Sequence, residues 1–209
     1  VVTDSERPLR ADAARNVERI LRTARTVFAG LGPDAQLDEI ARRADVSTRT
    51  LYNHFPNKAD LVRAALDQAI TEDLAPAADQ ALADDDPLHG LRHLIEAAMS
   101  LAARELNTLA AARAAGTLTS EVYTPFYESL TTLAQRAQDA GLLRADLVPD
   151  DLPRLMAMLT STLWTMDPGA DGWRRYLGLV LDGLAPAAAN PLHPPVTLLK
   201  GARTGDWSL

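Results

Sequence analysis

Apolar residues return at intervals of three and four along most of this chain, and that period admits little besides helices. Val17, Ile20, Leu21, Ala24, Val27, Phe28 and Leu31 form one such stripe, the pattern of an amphipathic helix with one dry face. Gly30, Gly32 and Pro33 are expected to end it. No alternating strand pattern and no internal repeat stands out, so the predicted class is all-α.

A second, short helix is predicted in LDEIARRA, residues 37 to 44, with Leu37, Ile40, Ala41 and Ala44 on one face. Asp38 and Glu39 lie near its positive N-terminus. The tight link Asp45-Val46-Ser47 follows, and Ser47 is the expected N-cap of a third helix in which Leu51 points inward. In FPNKADLV, Asn57 is expected to cap a fourth helix, with Asp60 three residues later in an acidic variant of the capping box. That helix is predicted to run to about Leu74, before Pro76.

Two short helices joined by a turn of three to four residues form a helix-turn-helix, whose second helix enters the major groove of DNA. Leu51 and Val46 would anchor that helix, leaving the hydrogen-bonding side chains of STRTLYNHF (47 to 55) facing outward. The candidate DNA-binding residues are Ser47, Thr48, Arg49, Thr50, Tyr52, His54 and Lys58. Arg49 is the expected base reader, because its planar fork can grip guanine O6 and N7 together, and the threonines could touch bases or phosphates. Tyr52, His54 and Lys58 are the expected phosphate clamps.

These stretches, RILRTARTVFAGLGPDAQ and LDEIARRADVSTRTLYNHFPNKADLV, resemble the N-terminal domain of the TetR family of bacterial transcriptional regulators. The match covers roughly residues 13 to 66. One departure is Asp45, at a turn position where the family commonly has glycine because a left-handed backbone is favoured; aspartate tolerates that conformation at a modest cost. The resemblance implies an N-terminal arm and three-helix DNA-binding domain over residues 1 to 60 and a helical ligand-binding and dimerisation domain over 61 to 190. An irregular tail is expected over 191 to 209, where Pro191, Pro194 and Pro195 interrupt the pattern.

The second half divides into further helical segments. Residues 84 to 116 begin with acids and Pro87, stop at Gly116, and are expected to break near Arg104. Residues 124 to 141 run from a capping Thr124 and Pro125 to Gly141. PDDLPRLMAMLTSTLWTM and DGWRRYLGLVLDGLAPAA supply the last two. Leu152, Leu155, Met156, Met158, Leu159, Leu163 and Trp164 occupy most of the first; Trp173, Tyr176, Leu177, Val180, Leu181 and Leu184 cover a wide arc of the second. Faces so broadly apolar must be buried on more than one side. The resemblance supplies the partner, a second copy, in a two-fold dimer whose recognition helices would meet half-sites ~34 Å apart. It also implies a cavity for an apolar or amphipathic effector, with Met99, Tyr123, Phe126, Tyr127, Met156, Thr160 and Trp164 as its candidate lining.

Charge bears on partners. The net charge is −7, yet residues 1 to 60 carry 10 Lys+Arg against 9 Asp+Glu, and the remainder carries 11 against 19. Six arginines, Arg7 to Arg25, crowd the first 25 residues; Arg7, Arg10 and Arg15 could reach a DNA backbone as an arm. With no cysteine there is neither a disulfide framework nor a thiolate metal site. No secretory h-region and no apolar run of bilayer length is seen, so a soluble, cytoplasmic protein without membrane partners is expected. No catalytic motif emerges, and no cofactor is expected. His89, His93 and Glu96 could share a helix face, but a polar surface is the reading taken, since Gly90 stands where a zincin motif needs glutamate. The expected function is a ligand-responsive repressor that binds a palindromic operator as a dimer. The alternatives are a constitutive DNA-binding regulator without a ligand, or a helical small-molecule-binding protein or enzyme.

Overall fold

The computed structural model describes residues 6–117, 123–188 and 190–196. Every regular element among them is helical, and they fall into two compact units that we describe separately. The first comprises residues up to Gln68 together with 107–118. It holds α1 (Glu6–Leu31), α2 (Leu37–Arg43), α3 (Thr48–His54) and α4 (Lys58–Ala69), and also α7 (Leu106–Ala114) from much later in the chain. The second unit holds a π-helical turn (Ile70–Leu74), α5 (Ala75–Leu82), α6 (Pro87–Arg104), α8 (Thr124–Asp139), α9 (Asp151–Thr162) and α10 (Trp173–Gly183).

In the first unit the stripe read from the sequence becomes the core. Ile20, Ala24, Val27 and Phe28 of α1 meet Ile40, Ala41, Leu51, Leu61 and Val62, all at 0–1% exposure. Burying each large aliphatic among them contributes roughly 1.5–3 kcal/mol. Ala111 and Ala112 of α7 close the same cluster, and the Asn107 side-chain amide donates to the Ala29 carbonyl near the end of α1. The helix α1 begins at Glu6, so the backbone expected to form an arm is already helical there. The side chains of Arg7 and Arg10 lie outside the described residues.

The second unit has its own larger core, from Leu91, Leu94 and Met99 of α6 through Leu130 and Leu133 of α8 to Leu159, Trp173 and Leu177. Close approach there explains Gly90: a Cβ at this position would stand 2.5 Å from the Ala81 carbonyl oxygen, so α5 and α6 could not pack with any larger residue. The break expected near Arg104 falls at Glu105, and α7 and α8 end shortly before Gly116 and Gly141. Helix α8 starts at Thr124 with Tyr123 at its cap position, one residue earlier than expected.

One expectation is corrected. The helix predicted to stop before Pro76 continues through the π turn into α5, ending at Leu82. Proline in a helix normally clashes with the carbonyl four residues back; here it lies in the first turn after a wider π turn, which relieves that clash. The last two helices each turn one apolar face into this unit's core and leave other apolar side chains outside it. Leu177 and Leu181 are buried within this unit's own core, whereas Met158, Trp164, Tyr176 and Leu179 are exposed. The stretch 190–196 has no regular structure, as expected of the tail; residues 197–209 lie outside the described part. Its start is fastened by Arg144, a buried guanidinium that grips Asp146 through two nitrogens (2.5 and 3.0 Å) and donates to the Asn190 carbonyl (2.7 Å). This grip holds the Asp146 carboxyl well below the usual carboxylate range.

Candidate nucleic-acid interface

The turn between α2 and α3 is built from local rules. Asp45 adopts φ +51, the left-handed conformation expected at that position. Arg19 of α1 fixes it from outside, donating to the Asp45 carbonyl (3.3 Å) and to Asn16 Oδ1 (2.9 Å). Ser47 then caps α3: its backbone is extended and its Oγ accepts from Thr50 N–H at 3.0 Å, meeting one of the helix's otherwise unpaired donors. Leu51, fully buried, and Val46, partly buried, hold the helix down as the sequence implied.

What α3 presents outward is thereby determined. Thr48, Arg49 and Tyr52 are exposed, with Tyr52 at 44%. Thr50 is half-buried, and its hydroxyl shares a 2.7 Å hydrogen bond with Ser47 Oγ. His54, the last residue of α3, is half-buried beside Phe55, their rings tilted and 6.5 Å apart. Asn57 and Asp60 form the reciprocal capping box at the start of α4, each bond 2.9 Å.

Lys58 has a role that sequence reasoning missed. Its ammonium donates to the carbonyls of Pro33 and Ala35, which the 3-10 turn Gly32–Asp34 leaves without helical partners. Of its three donors, one remains for a phosphate. The only hint in the sequence was that a Gly-Pro turn exposes carbonyls somewhere, and nothing local said which cation would find them. Arg42 and Arg43 are similarly engaged: Arg42, then Arg43, hydrogen-bond Glu39 and hold its carboxyl below the usual range. Arg49 therefore stands out as an exposed cation on α3 for which no acceptor occurs among the described residues.

The candidate effector residues lie in the second unit and are not all alike. Met99, Phe126 and Met156 belong to its buried cluster, with Tyr127 packed against them and its ring 5.1 Å from that of Phe126. Burial pushes the Tyr127 phenol up. Tyr123 is half-buried, Thr160 donates to the Met156 carbonyl, and Trp164 is half-exposed. A cavity of about 480 Å³ opens elsewhere in this unit, among Gln138, Leu143, Arg144, Asp146, Pro186 and Pro191, and none of the candidate residues lines it. Of the three α6 residues weighed as a metal-binding face, His89 pairs with Asp84 (2.6 Å) and Glu96 with Arg174 (3.3 Å).

Comparisons with known proteins agree with this geometry. Residues 20–65 match the family model for bacterial regulatory proteins of the tetR family, and residues 87–186 match that for the C-terminal domain of SbtR-like transcriptional regulators. The uncharacterized HTH-type transcriptional regulator TtgW of Pseudomonas putida is 42% identical over 57 residues, which is 27% of this chain and 42% of that protein's length. A TetR transcriptional regulator from Streptomyces coelicolor is 32% identical, with a TM-score of 0.59 over 81% of this chain and 98% of its own. The fold is also that of FadR from Bacillus subtilis, solved in complex with stearoyl-CoA, at 18% identity and a TM-score of 0.65 over 80% of this chain and 97% of the other. No helix among the described residues is long and apolar enough to cross a membrane. The chain belongs to the TetR family of bacterial transcriptional regulators, and α2 and α3 are the helix-turn-helix of its DNA-binding domain.

Proposed function

We propose that this regulator is a repressor that binds a palindromic operator as a homodimer and is released by an apolar or amphipathic small molecule. DNA reading is assigned to residues 1 to 60, with Arg49 gripping a guanine edge, Thr48 beside it, and Tyr52 and His54 on phosphates. The observation that carries this is the division of α3 into a buried Leu51 and an exposed Thr48, Arg49 and Tyr52. Ser47 and Thr50 set the helix start, and Lys58 offers its remaining donor to the backbone.

Dimerisation is assigned to α9 and α10. Met158, Trp164, Tyr176 and Leu179 are exposed at 43–62%, an apolar set that favours burial against a copy; a stable interface needs ~800 Å² from each partner. The effector is placed in the second unit, at the cluster that contains Met99, Phe126 and Met156. FadR, with the same fold, is solved with stearoyl-CoA, which supports an amphipathic guest. A ligand that prefers the released form ~100-fold contributes ~2.7 kcal/mol per site, and DNA must weaken that ligand by the same factor.

The test is a gel-shift titration against the intergenic DNA beside its gene, combined with sedimentation at micromolar concentration. A monomer, or the absence of a sequence-preferring complex at any salt concentration, would sink the reading. An effector that binds free protein and operator complex equally well would remove the release step.

A further inference from the structure

The second unit buries a donor for which the described residues offer no acceptor. Trp173 opens α10 at 0% exposure, and its indole Nε1–H finds no acceptor among the described residues. Buried indole N–H groups usually find a partner, because an unmet donor gives up its hydration without return. The nearest charged neighbour is unsuited to the task. Arg174 lies over the Trp173 ring, 4.5 Å from its centroid, and is itself a donor that reaches Glu96.

The surroundings are apolar and able to rearrange. Of the chain's four methionines, Met99 and Met156 lie in the cluster that contains Trp173, and Met166 packs against it. Unbranched thioethers repack around a guest more readily than branched side chains do. Met166 also reaches the residue before Trp173: its Sδ lies 3.2 Å from where a Cβ on Gly172 would be.

We propose that Trp173 Nε1–H is the polar anchor of the effector site, and that the effector is an uncharged, mostly apolar molecule presenting one oxygen acceptor, such as a ketone or ester carbonyl. This rests on the ligand-responsive reading above. Charge is disfavoured by what else is buried. The buried ionic side chains among the described residues are Glu105, itself acidic, and Arg144, which is committed to Asp146 and to the carbonyls of Gly183 and Asn190. A carboxylate drawn into this cluster would have to take Arg174, the guanidinium over Trp173, from Glu96 and Asp171.

The experiment uses the full chain and two probes of nearly equal shape, 2-acetylnaphthalene and 2-isopropenylnaphthalene, titrated calorimetrically and by the indole ¹⁵N–¹H resonances. The ketone is expected to bind about tenfold more tightly than the hydrocarbon and to move the Trp173 indole proton downfield, which the hydrocarbon does not. Replacing Trp173 by β-(3-benzothienyl)alanine, which keeps the shape and removes the N–H, should bring the ratio to about one without lowering the melting temperature; Trp173→Phe should do the same to the ratio. Equal affinities in the wild type, a preference that survives both replacements, or no binding of either probe overturns the proposal. If both probes bind alike and both release operator DNA, the ligand-responsive reading stands and the anchor falls. A ketone that docks on Trp173 and leaves DNA affinity unchanged keeps the anchor and removes the release.

Discussion

The corner around α3 and the outer sides of α9 and α10 treat their side chains in opposite ways. At α3, neighbouring polar groups are fastened by partners of their own unit: Ser47 to Thr50, Arg19 to Asp45, Lys58 to two carbonyls, Asn57 to Asp60. The few exposed groups that remain, Arg49 foremost, stand on a rigid base. At α9, the turn that follows it and α10 it is apolar groups that are left over, Met158, Trp164, Tyr176 and Leu179, all of them exposed. A surface that reads a polyanion needs fixed donors at its foot, whereas a surface that pairs with a copy needs area. The two regions therefore differ in which substitutions they forgive.

The sharpest break of that comparison comes from two leucines two positions apart. Leu177→Glu places a carboxylate in a dry core and is expected to cost at least ~4 kcal/mol, seen as loss of cooperative unfolding by circular dichroism. Leu179→Glu with Met158→Glu, both at exposed positions, should leave the fold within ~0.5 kcal/mol yet give monomers by sedimentation. A dimer that survives the double substitution removes α9 and α10 as the interface. At the other region Arg49→Ala is expected to cost ~1–3 kcal/mol on the preferred operator and to relax base preference, while Tyr52→Phe weakens all sequences about equally. Binding titrations on an operator library at several salt concentrations separate the two; unchanged preference in Arg49→Ala would refute the base-reading role.

Ser47→Ala comes next, at ~1 kcal/mol lost from the cap and read by urea denaturation. It should lower DNA affinity only in parallel with stability. The smallest effect belongs to the second unit's exposed pair. Asp84 hydrogen-bonds His89 and raises its pKa above the ordinary 6.5, while His89 in turn lowers that of Asp84 below 3.8. The histidine's contribution is fully present below 6.5 and fades as pH rises through its raised value; the aspartate's is present above 3.8 and is lost as pH falls further. Urea midpoints of wild type should therefore decline slightly as pH rises past 6.5, and His89→Gln should flatten that slope.

The same contrast governs what could be read from the sequence. Ser47 as cap and the Asn57–Asp60 box are decided by neighbours within four residues, so local chemistry was enough; the left-handed Asp45 was expected from the family resemblance and the break near Arg104 from the length of the segment. Lys58 was read as a phosphate clamp because its carbonyl partners lie 25 and 23 residues back. Asn107 and Ala29 are 78 apart and left no local trace. Which side of α10 is dry also escaped: Leu177, Leu179 and Leu181 are equally apolar, and only packing against α6 and α9 distinguishes the buried pair from the exposed one. The candidate effector lining suffered in the same way, since hydrophobicity does not tell a solvated Trp164 from a buried Met99. Trp173 was seen as bulk, and its idle N–H became visible only once every neighbour was in place.

Helix α7 carries a consequence for synthesis. Its Ala111 and Ala112 complete a core that otherwise consists of residues up to Leu66, so the nascent helix-turn-helix leaves the ribosome before its last wall exists. At roughly 5–20 residues per second the missing segment trails by several seconds, during which this core lacks Ala111 and Ala112. A chain cut off before α7 would present the whole recognition helix on an unfinished support. Truncated products should then be poor competitors for the operator, and grafting this reading head onto another protein requires transplanting two separate pieces of sequence.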